Sequence, residues 1–373
     1  MRELKDVVLV GKHVGLRVDL HVPIEDGAVM NDERLSATLP TILEILKSTK
    51  NLTIISHLGR PKEGEYSEEL SLKPIVHWFE KRLNLEIPLV KSLDELPNGI
   101  SFLENIRMFP GESRNDDLLS ELLSKKFDIY IMDAFATAHR EASSTYGAIL
   151  KSKDSVPGLL FSREINALSN ILDDSKKLLS VVGGSKVSTK LEVITNLLSK
   201  SDKVLVGGGI ANTFLKAKGF DIGTSLVEDD MISSAKKMLG TGKIILPERV
   251  CISKSTQSDD IEFVPIESVP EDKMILDIEL NIKELSKKDY DAILWNGPLG
   301  IFEIKNFEKG TRDLVKYLTQ SGSRVVAGGG ETIFAISKYS DKKHFHYIST
   351  AGGAFLEFIS GKKLPSVAAL ELK

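Results

Sequence analysis

Short apolar runs rich in β-branched residues alternate with stretches of helical period along the whole chain. Such alternation predicts an α/β fold with parallel sheets and helices on both faces. In the first half, strands are predicted at residues 14–20, 52–56, 87–90, 100–103 and 127–132, and helices at 38–46, 72–83 and 116–126. The last of these carries the leucine stripe of a buried face. The polar stretch 62–70, with Gly64, reads as a mobile loop. Residues 159–172 have helical period after Pro157-Gly158 and read as a connector between domains. In the second half, strands are predicted at 178–182, 203–206, 292–295, 325–327 and 347–350, with a helix at 354–359. Composition does not explain the tail, 362–373.

A length of 373 residues exceeds what one core usually holds, so two domains are expected. Composition is ordinary for a globular chain, at 42% hydrophobic and 27% charged. The net charge of −4 argues against a general nucleic-acid binder. Cys251 is the only cysteine, which excludes an intrachain disulfide and a cysteine-based metal site. No apolar stretch reaches membrane-spanning length, and the charged start Met1–Asp6 does not read as a signal peptide. The expectation is a cytoplasmic protein that binds neither nucleic acid nor membrane.

In the first half, four predicted strands run into loops bearing Asp, His or Arg. Ligands of open parallel sheets bind beyond the carboxyl ends of the strands. Arg34, Arg60, Arg107, Arg140, His57 and His139 are therefore expected to converge on one cleft. Guanidinium forks match carboxylate and phosphate oxygens, so the cluster implies a small, strongly anionic ligand. Each arginine taken singly is equally read as a surface ion-pair partner. Asp19 fits a cation-lined site by accepting from a substrate hydroxyl or by orienting an arginine.

In the second half, five predicted strands end in glycine where the first half supplies arginine: Gly183-Gly184, Gly207–Gly209, Gly297, Gly328–Gly330 and Gly352-Gly353. Repeated at neighbouring strand ends, glycine gives a platform for a base and ribose with N–H groups toward phosphates. Close helix–strand packing explains any single case. After Gly184 a helix is expected, with Lys186 and Lys190 on one face of its first turns, where a phosphate chain would relieve their repulsion from the dipole. Two solvated surface lysines are the alternative. Glu303 is placed to hold a ribose hydroxyl. Glu331 either reaches a Mg²⁺ on nucleotide phosphates or simply complements a helix dipole. There is no G-x-x-x-x-G-K-[ST] sequence, and Gly207–Gly209 lacks the third glycine of a dinucleotide fingerprint.

The chain resembles phosphoglycerate kinases over essentially its whole length. The motifs that carry the resemblance are RVDLHVP (Arg17–Pro23), SHLGRP (Ser56–Pro61), LENIR (Leu103–Arg107), DAFATAHR (Asp133–Arg140), GGSKVSTK (Gly183–Lys190), GGGIANTFL (Gly207–Leu215), WNGPLGIFE (Trp295–Glu303), GGGET (Gly328–Thr332) and ISTAGGAFLEF (Ile348–Phe358). The resemblance implies two Rossmann-like domains joined by a helix and hinge, with a cleft between. Residues 1–156 would bind 3-phosphoglycerate and be rejoined by the tail 356–373, while 157–355 would bind Mg-ADP or Mg-ATP. It implies reversible phosphoryl transfer between 1,3-bisphosphoglycerate and ADP, in a monomer. The acid substrate would lie on Asp19, His21, Arg34, His57, Arg60, Arg107 and Arg140. Arg34 and Lys186, with the helix start at Gly352 and Gly353, would act on the phosphoryl group in flight. Lys186, Lys190, Asn296, Glu303 and Gly328, Gly329, Gly330, Glu331 and Thr332 would hold the nucleotide, Glu331 through its Mg²⁺. This chain has His21 where the family usually has Asn, Glu331 where it usually has Asp, and Ala351 in place of the first of three glycines. A nicotinamide dehydrogenase, or a non-catalytic nucleotide-binding scaffold, would share the sheet and the glycines.

Overall fold

The computed structural model describes all 373 residues. They form two compact units, Met1–Ile165 with Lys363–Lys373, and Asn166–Lys362.

The first unit is built on a six-stranded parallel sheet in the order Leu89–Val90, Ile100–Leu103, Leu52–Ile55, Val14–Arg17, Ile129–Met132, Ser155–Pro157. The central strands are buried along their full length, as parallel strands covered on both faces must be. Val14–Arg17 is first in the chain and lies mid-sheet, with Leu52–Ile55 on one side and Ile129–Met132 on the other. Strand order therefore reverses at its carboxyl end, where open sheets bind ligands. The flanking helices are Glu33–Leu46, Lys73–Leu83 and Asp117–Lys126. Asp116 caps the last, accepting from Leu118 and Leu119 amides at 3.0 and 3.4 Å. The first helix starts five residues before the predicted 38, so Arg34 lies in its first turn rather than ahead of it. Pro40 obscured this start: inside the helix it removes one backbone donor and reads as a boundary. The stretch 62–70 is tied down, because Glu63 accepts from the amides of Gly111 and Ser113 at 2.9 Å each.

Two local elements escape the α/β pattern. Ile24–Glu25 and Ala28–Val29 form a hairpin across Asp26 (φ 48°) and Gly27 (φ 73°), the Asp-Gly signature of a left-handed two-residue turn. The tail forms a helix, Pro365–Glu371, with proline in its first turn. Ser366 donates to the carbonyls of Ala138 and Thr145, at 3.1 and 2.7 Å, and Lys373 donates to those of Leu150 and Ser152.

The second unit repeats the plan. Its parallel sheet has the order Ile244–Ile245, Lys203–Val206, Leu178–Val182, Ala292–Asn296, Arg324–Gly328, Tyr347–Ser349. Chain order reverses between Leu178–Val182 and Ala292–Asn296. Trp295 is fully buried there, its indole N–H donating to the Gly297 carbonyl at 2.8 Å. A three-stranded antiparallel sheet, Glu262–Pro265, Arg249–Ser253 and Met274–Glu279, packs into the same core. The sequence reading did not anticipate it. No helix is long and apolar enough to cross a membrane.

Candidate functional site

Two cavities hold the chemistry, one in each unit. In the first, about 310 Å³, Arg17, Arg60, Arg107 and Arg140 share one wall system with Thr137 and Thr145. Arg17 is the residue that sequence reasoning passed over. It ends the central strand, is 2% exposed, and donates through Nε to Ser144 Oγ at 2.9 Å. Buried Glu112 balances it, accepting from the Ser144 amide and hydroxyl at 2.9 and 2.5 Å. The signal was a lone cation in an otherwise apolar strand, VGLR.

Arg17 also donates to His57 Nδ1 at 3.2 Å, which leaves the proton of neutral His57 on Nε2, 4.0 Å from Asp19 Oδ1. Burial holds the His57 imidazole well below its ordinary value, reinforced by Arg17 and Arg107. His21 stacks on His57 with ring centroids 5.8 Å apart, and its Nδ1 accepts from the Gly59 amide at 3.3 Å. Its imidazole is also shifted down, by burial first, with Asp19 opposing and Arg34, Arg107 and Arg140 adding to the fall. These couplings place Asp19, His21 and the three arginines in one electrostatic neighbourhood. Arg34 donates to Asp19 Oδ2 at 2.6 Å. Arg107 donates to the Gly59 carbonyl at 2.6 Å, and burial beside Arg140 and Arg17 lowers its guanidinium to about 10. Cations crowded enough to depress one another are stabilised by an anion. Asp133, at the end of Ile129–Met132, belongs elsewhere: it is fully buried and accepts from the Phe161 amide at 2.9 Å. His139 lies beside Arg140, its Nε2 accepting from Arg140 Nε at 3.4 Å.

The second cavity, about 700 Å³, is lined by Gly184, Lys190, Gly208, Gly209, Glu303 and Glu331 among others. Lys190 sits on the ends of the two strands where chain order reverses. Its Nζ donates to the Gly183 carbonyl and to Asn296 Oδ1, each at 2.6 Å. Burial lowers its ammonium to about 8, with Glu331 opposing. The expected helix from Gly184 does not form as read. Residues 184–187 are irregular, a short turn covers Ser188–Lys190, and the helix proper is Leu191–Lys200. Lys186 and Lys190 therefore do not share a helical face: Lys190 folds back onto the strand ends, and Lys186 is exposed within electrostatic reach of Glu228. The reason is local, since Gly184 has φ 134°, a conformation that cannot begin a helix.

The glycines divide into two groups. A Cβ at Gly183 would stand 1.8 Å from the Pro298 carbonyl, at Gly207 2.4 Å from Leu299, at Gly209 2.2 Å from the Ser185 carbonyl, and at Gly328 2.7 Å from Phe355. These glycines let neighbouring loops touch, so close packing accounts for them. At Gly330 and Gly352 a Cβ would meet nothing within 4 Å. Asn296, Gly328 and Thr332 brace one another: Asn296 Nδ2 donates to the Gly328 carbonyl at 2.6 Å, and the Gly297 amide donates to Thr332 Oγ1 at 2.8 Å. Gly329, with φ 104°, caps the helix Gly330–Tyr339, whose first turn carries Glu331. Gly352 and Gly353 begin the helix Gly353–Ile359, after the edge strand Tyr347–Ser349. No group of three or more His, Cys, Asp or Glu side chains is placed to hold a metal ion.

Known proteins are similar to this chain in sequence and fold. The phosphoglycerate kinase family matches residues 4–362. A phosphoglycerate kinase from Francisella philomiragia subsp. philomiragia is 45% identical over 99% of this chain and 98% of its own length. One from Desulfovibrio desulfuricans is 42% identical over the same shares. The solved structure of phosphoglycerate kinase from Coxiella burnetii superposes with a TM-score of 0.95 at 39% identity, covering 100% of this chain and 99% of that one. That from Pyrococcus horikoshii OT3 gives 0.79 at 30% identity, with the same coverage. With an arginine-lined cavity in one unit, a glycine-lined cavity in the other and full-length similarity throughout, the chain belongs to the phosphoglycerate kinase family.

Proposed function

We propose that the arginine cavity binds 3-phosphoglycerate or 1,3-bisphosphoglycerate, that the glycine cavity binds ADP or ATP, and that residues from both act on the transferring phosphoryl group. The reaction is the family's: reversible phosphoryl transfer between 1,3-bisphosphoglycerate and ADP, a step of glycolysis. The observation that carries the site assignment is the pair of cation sets at the two sheet switch points: four guanidinium groups in one cavity and the desolvated Lys190 in the other.

In this reading Arg60, Arg107 and Arg140 take the phosphate of the acid, with His57 and His21 as neutral N–H donors and Asp19 orienting Arg34. Glu303 takes a ribose hydroxyl, and Lys190 the nucleotide phosphates. Asn296, Gly328, Gly329 and Thr332 hold the walls of the nucleotide site, and Gly330 leaves room for close approach. The attacking oxygen is a phosphate or a carboxylate, ionised at neutral pH, so no general base is required. Catalysis then rests on positioning and charge stabilisation by Arg34, Lys186 and the amides at Gly352 and Gly353. Acid and nucleotide are assigned to different units, and transfer requires the reacting atoms near contact distance with water excluded.

Mg²⁺ fits the donor set. Of the carboxylates that line the cavity, Asp277, Glu303 and Glu331, it is Glu331 that is coupled to Lys190, and Mg²⁺ is commonly held by one or two carboxylates together with substrate phosphates and water. When bound with the nucleotide it neutralises charge on the phosphates. We further propose that the chain works as a cytoplasmic monomer, without nucleic acid or membrane, its net charge of −4 offering no general basic face.

The test is a coupled assay with purified chain, 3-phosphoglycerate and Mg-ATP. Turnover supports the reading, and its absence favours a non-catalytic scaffold. Lys190 gives a separate prediction. With its ammonium lowered to about 8, it is roughly half protonated at pH 8. A bound phosphate favours the charged form. ADP binding at pH 8 should therefore take up about half a proton, falling toward none by about pH 6.5, where Lys190 is already charged. Calorimetry in two buffers of different ionisation enthalpy measures this. Loss of the uptake in Lys190→Met assigns it, and an unchanged uptake removes Lys190 from the phosphate site.

A further inference from the structure

Asp277 lies within the strand Met274–Glu279, opposite Cys251, and is 1% exposed. Its Oδ2 accepts from the Gly310 amide at 2.8 Å. Gly310 is in the first turn of the helix Lys309–Gln320, where amides lack partners within the helix. That helix has no side-chain cap at Glu308, so Asp277 caps it from a neighbouring strand. Its other oxygen, Oδ1, is buried with no hydrogen-bond partner. Two glycines leave it space: a Cβ at Gly300 would stand 2.2 Å from Oδ1, and one at Gly310 2.6 Å.

Asp277 also walls the 700 Å³ cavity, together with Pro298, Leu299, Gly300 and Glu303. The helix it caps holds that loop, because the Leu299 amide donates to Thr311 Oγ1 at 3.0 Å, next to Gly310. The Ile301 amide donates to the Leu276 carbonyl at 3.0 Å, one residue before Asp277. A buried carboxylate thus stands where strand, helix start and cavity loop meet.

We infer that Asp277 is a positioning residue for the nucleotide: its ionised carboxylate fixes the first turn of the helix and, through Thr311, the 298–303 loop that carries Glu303, and protonation loosens that loop. The inference rests on the assignment of this cavity to the nucleotide. Burial pushes the Asp277 carboxyl up to about 7, with Asp313 adding to the rise and the Gly310 and Ile278 amides and Lys309 opposing it. Lys309 is itself paired with Asp313 at 2.6 Å and Glu279 at 3.6 Å. Cys251, on the facing strand, is pushed up to about 12 by burial and by the Asp277 charge, so it stays neutral. The switch therefore falls in the working range of pH.

The test is KM for ADP from pH 6 to 8 for the full chain, Asp277→Asn and Thr311→Val, with kcat, KM for the acid and Tm beside it. At pH 8 both variants should raise KM for ADP about three- to tenfold, the scale of a partly buried charge at a helix start. KM for the acid should stay within about twofold by the same argument. By pH 6 the ratio to the unaltered chain should close toward one, because that chain is then itself protonated at Asp277. A ratio independent of pH, or an equal rise in both KM values, overturns the inference. If Asp277→Asn does not fold, Thr311→Val carries the test, since it cuts the link beyond the carboxyl. Lys190→Ala separates the two levels. If it leaves ADP affinity intact, the nucleotide assignment fails; if it weakens ADP while the other two variants do nothing, only the role of Asp277 fails.

Discussion

Lys186→Ala is expected to lower kcat about 10²–10³-fold, the loss seen when one preorganised donor to a developing charge is removed. KM for ADP should change by less than about threefold, since the ground-state phosphates are assigned to Lys190. The structure supports this division. Lys190 is desolvated and anchored to Gly183 and Asn296, while Lys186 is exposed on an irregular segment. An exposed cation suits a contact made only in the transition state, and such an interaction lowers kcat rather than KM. Steady-state kinetics decide: equal losses in kcat and ADP affinity would make Lys186 a binding residue.

Arg34→Ala should produce a kcat loss of similar size, about 10²–10³-fold, with an added effect on the acid. Arg34 donates to Asp19 at 2.6 Å, and the Asp19 side chain is only 10% exposed. Removing the guanidinium leaves that carboxylate facing a bound anion with less compensation, so KM for 3-phosphoglycerate should also rise. The double variant Arg34→Ala with Asp19→Asn separates the effects. It should recover KM and leave kcat low, because neutral Asn relieves repulsion without restoring a donor to the phosphoryl group. Near-normal turnover in Arg34→Ala would remove it from the mechanism.

The alternating pattern located most of both parallel sheets because their central strands are buried on both faces and read as apolar runs. Ile100–Leu103, Leu178–Val182 and Lys203–Val206 have the predicted limits. The antiparallel sheet was hidden because Glu262–Pro265 and Arg249–Ser253 carry exposed charged residues and the connections between the strands are irregular. The tail helix was hidden because its anchors, Ala138, Thr145 and Leu150, lie more than two hundred residues away in the chain. Within the candidate site, residue types beyond strand ends singled out Arg60, Arg107 and Arg140, which line one cavity in the fold, since the strand-end rule converts topology into position. The spacing of Lys186 and Lys190 misled, because a four-residue interval implies a shared face only on a helix. Arg17 and Asp277 were not assigned because each acts through neighbours that only the fold supplies.

The central claim is that acid and nucleotide occupy separate cavities and meet through the cations of both units. The most direct measurement is a crystal structure of the full chain with 3-phosphoglycerate and ADP bound together. The account predicts the acid's phosphate on Arg60, Arg107 and Arg140, and the ADP phosphates within hydrogen-bond reach of Lys190. Both ligands on one unit, or arginines turned away from the acid, would contradict it.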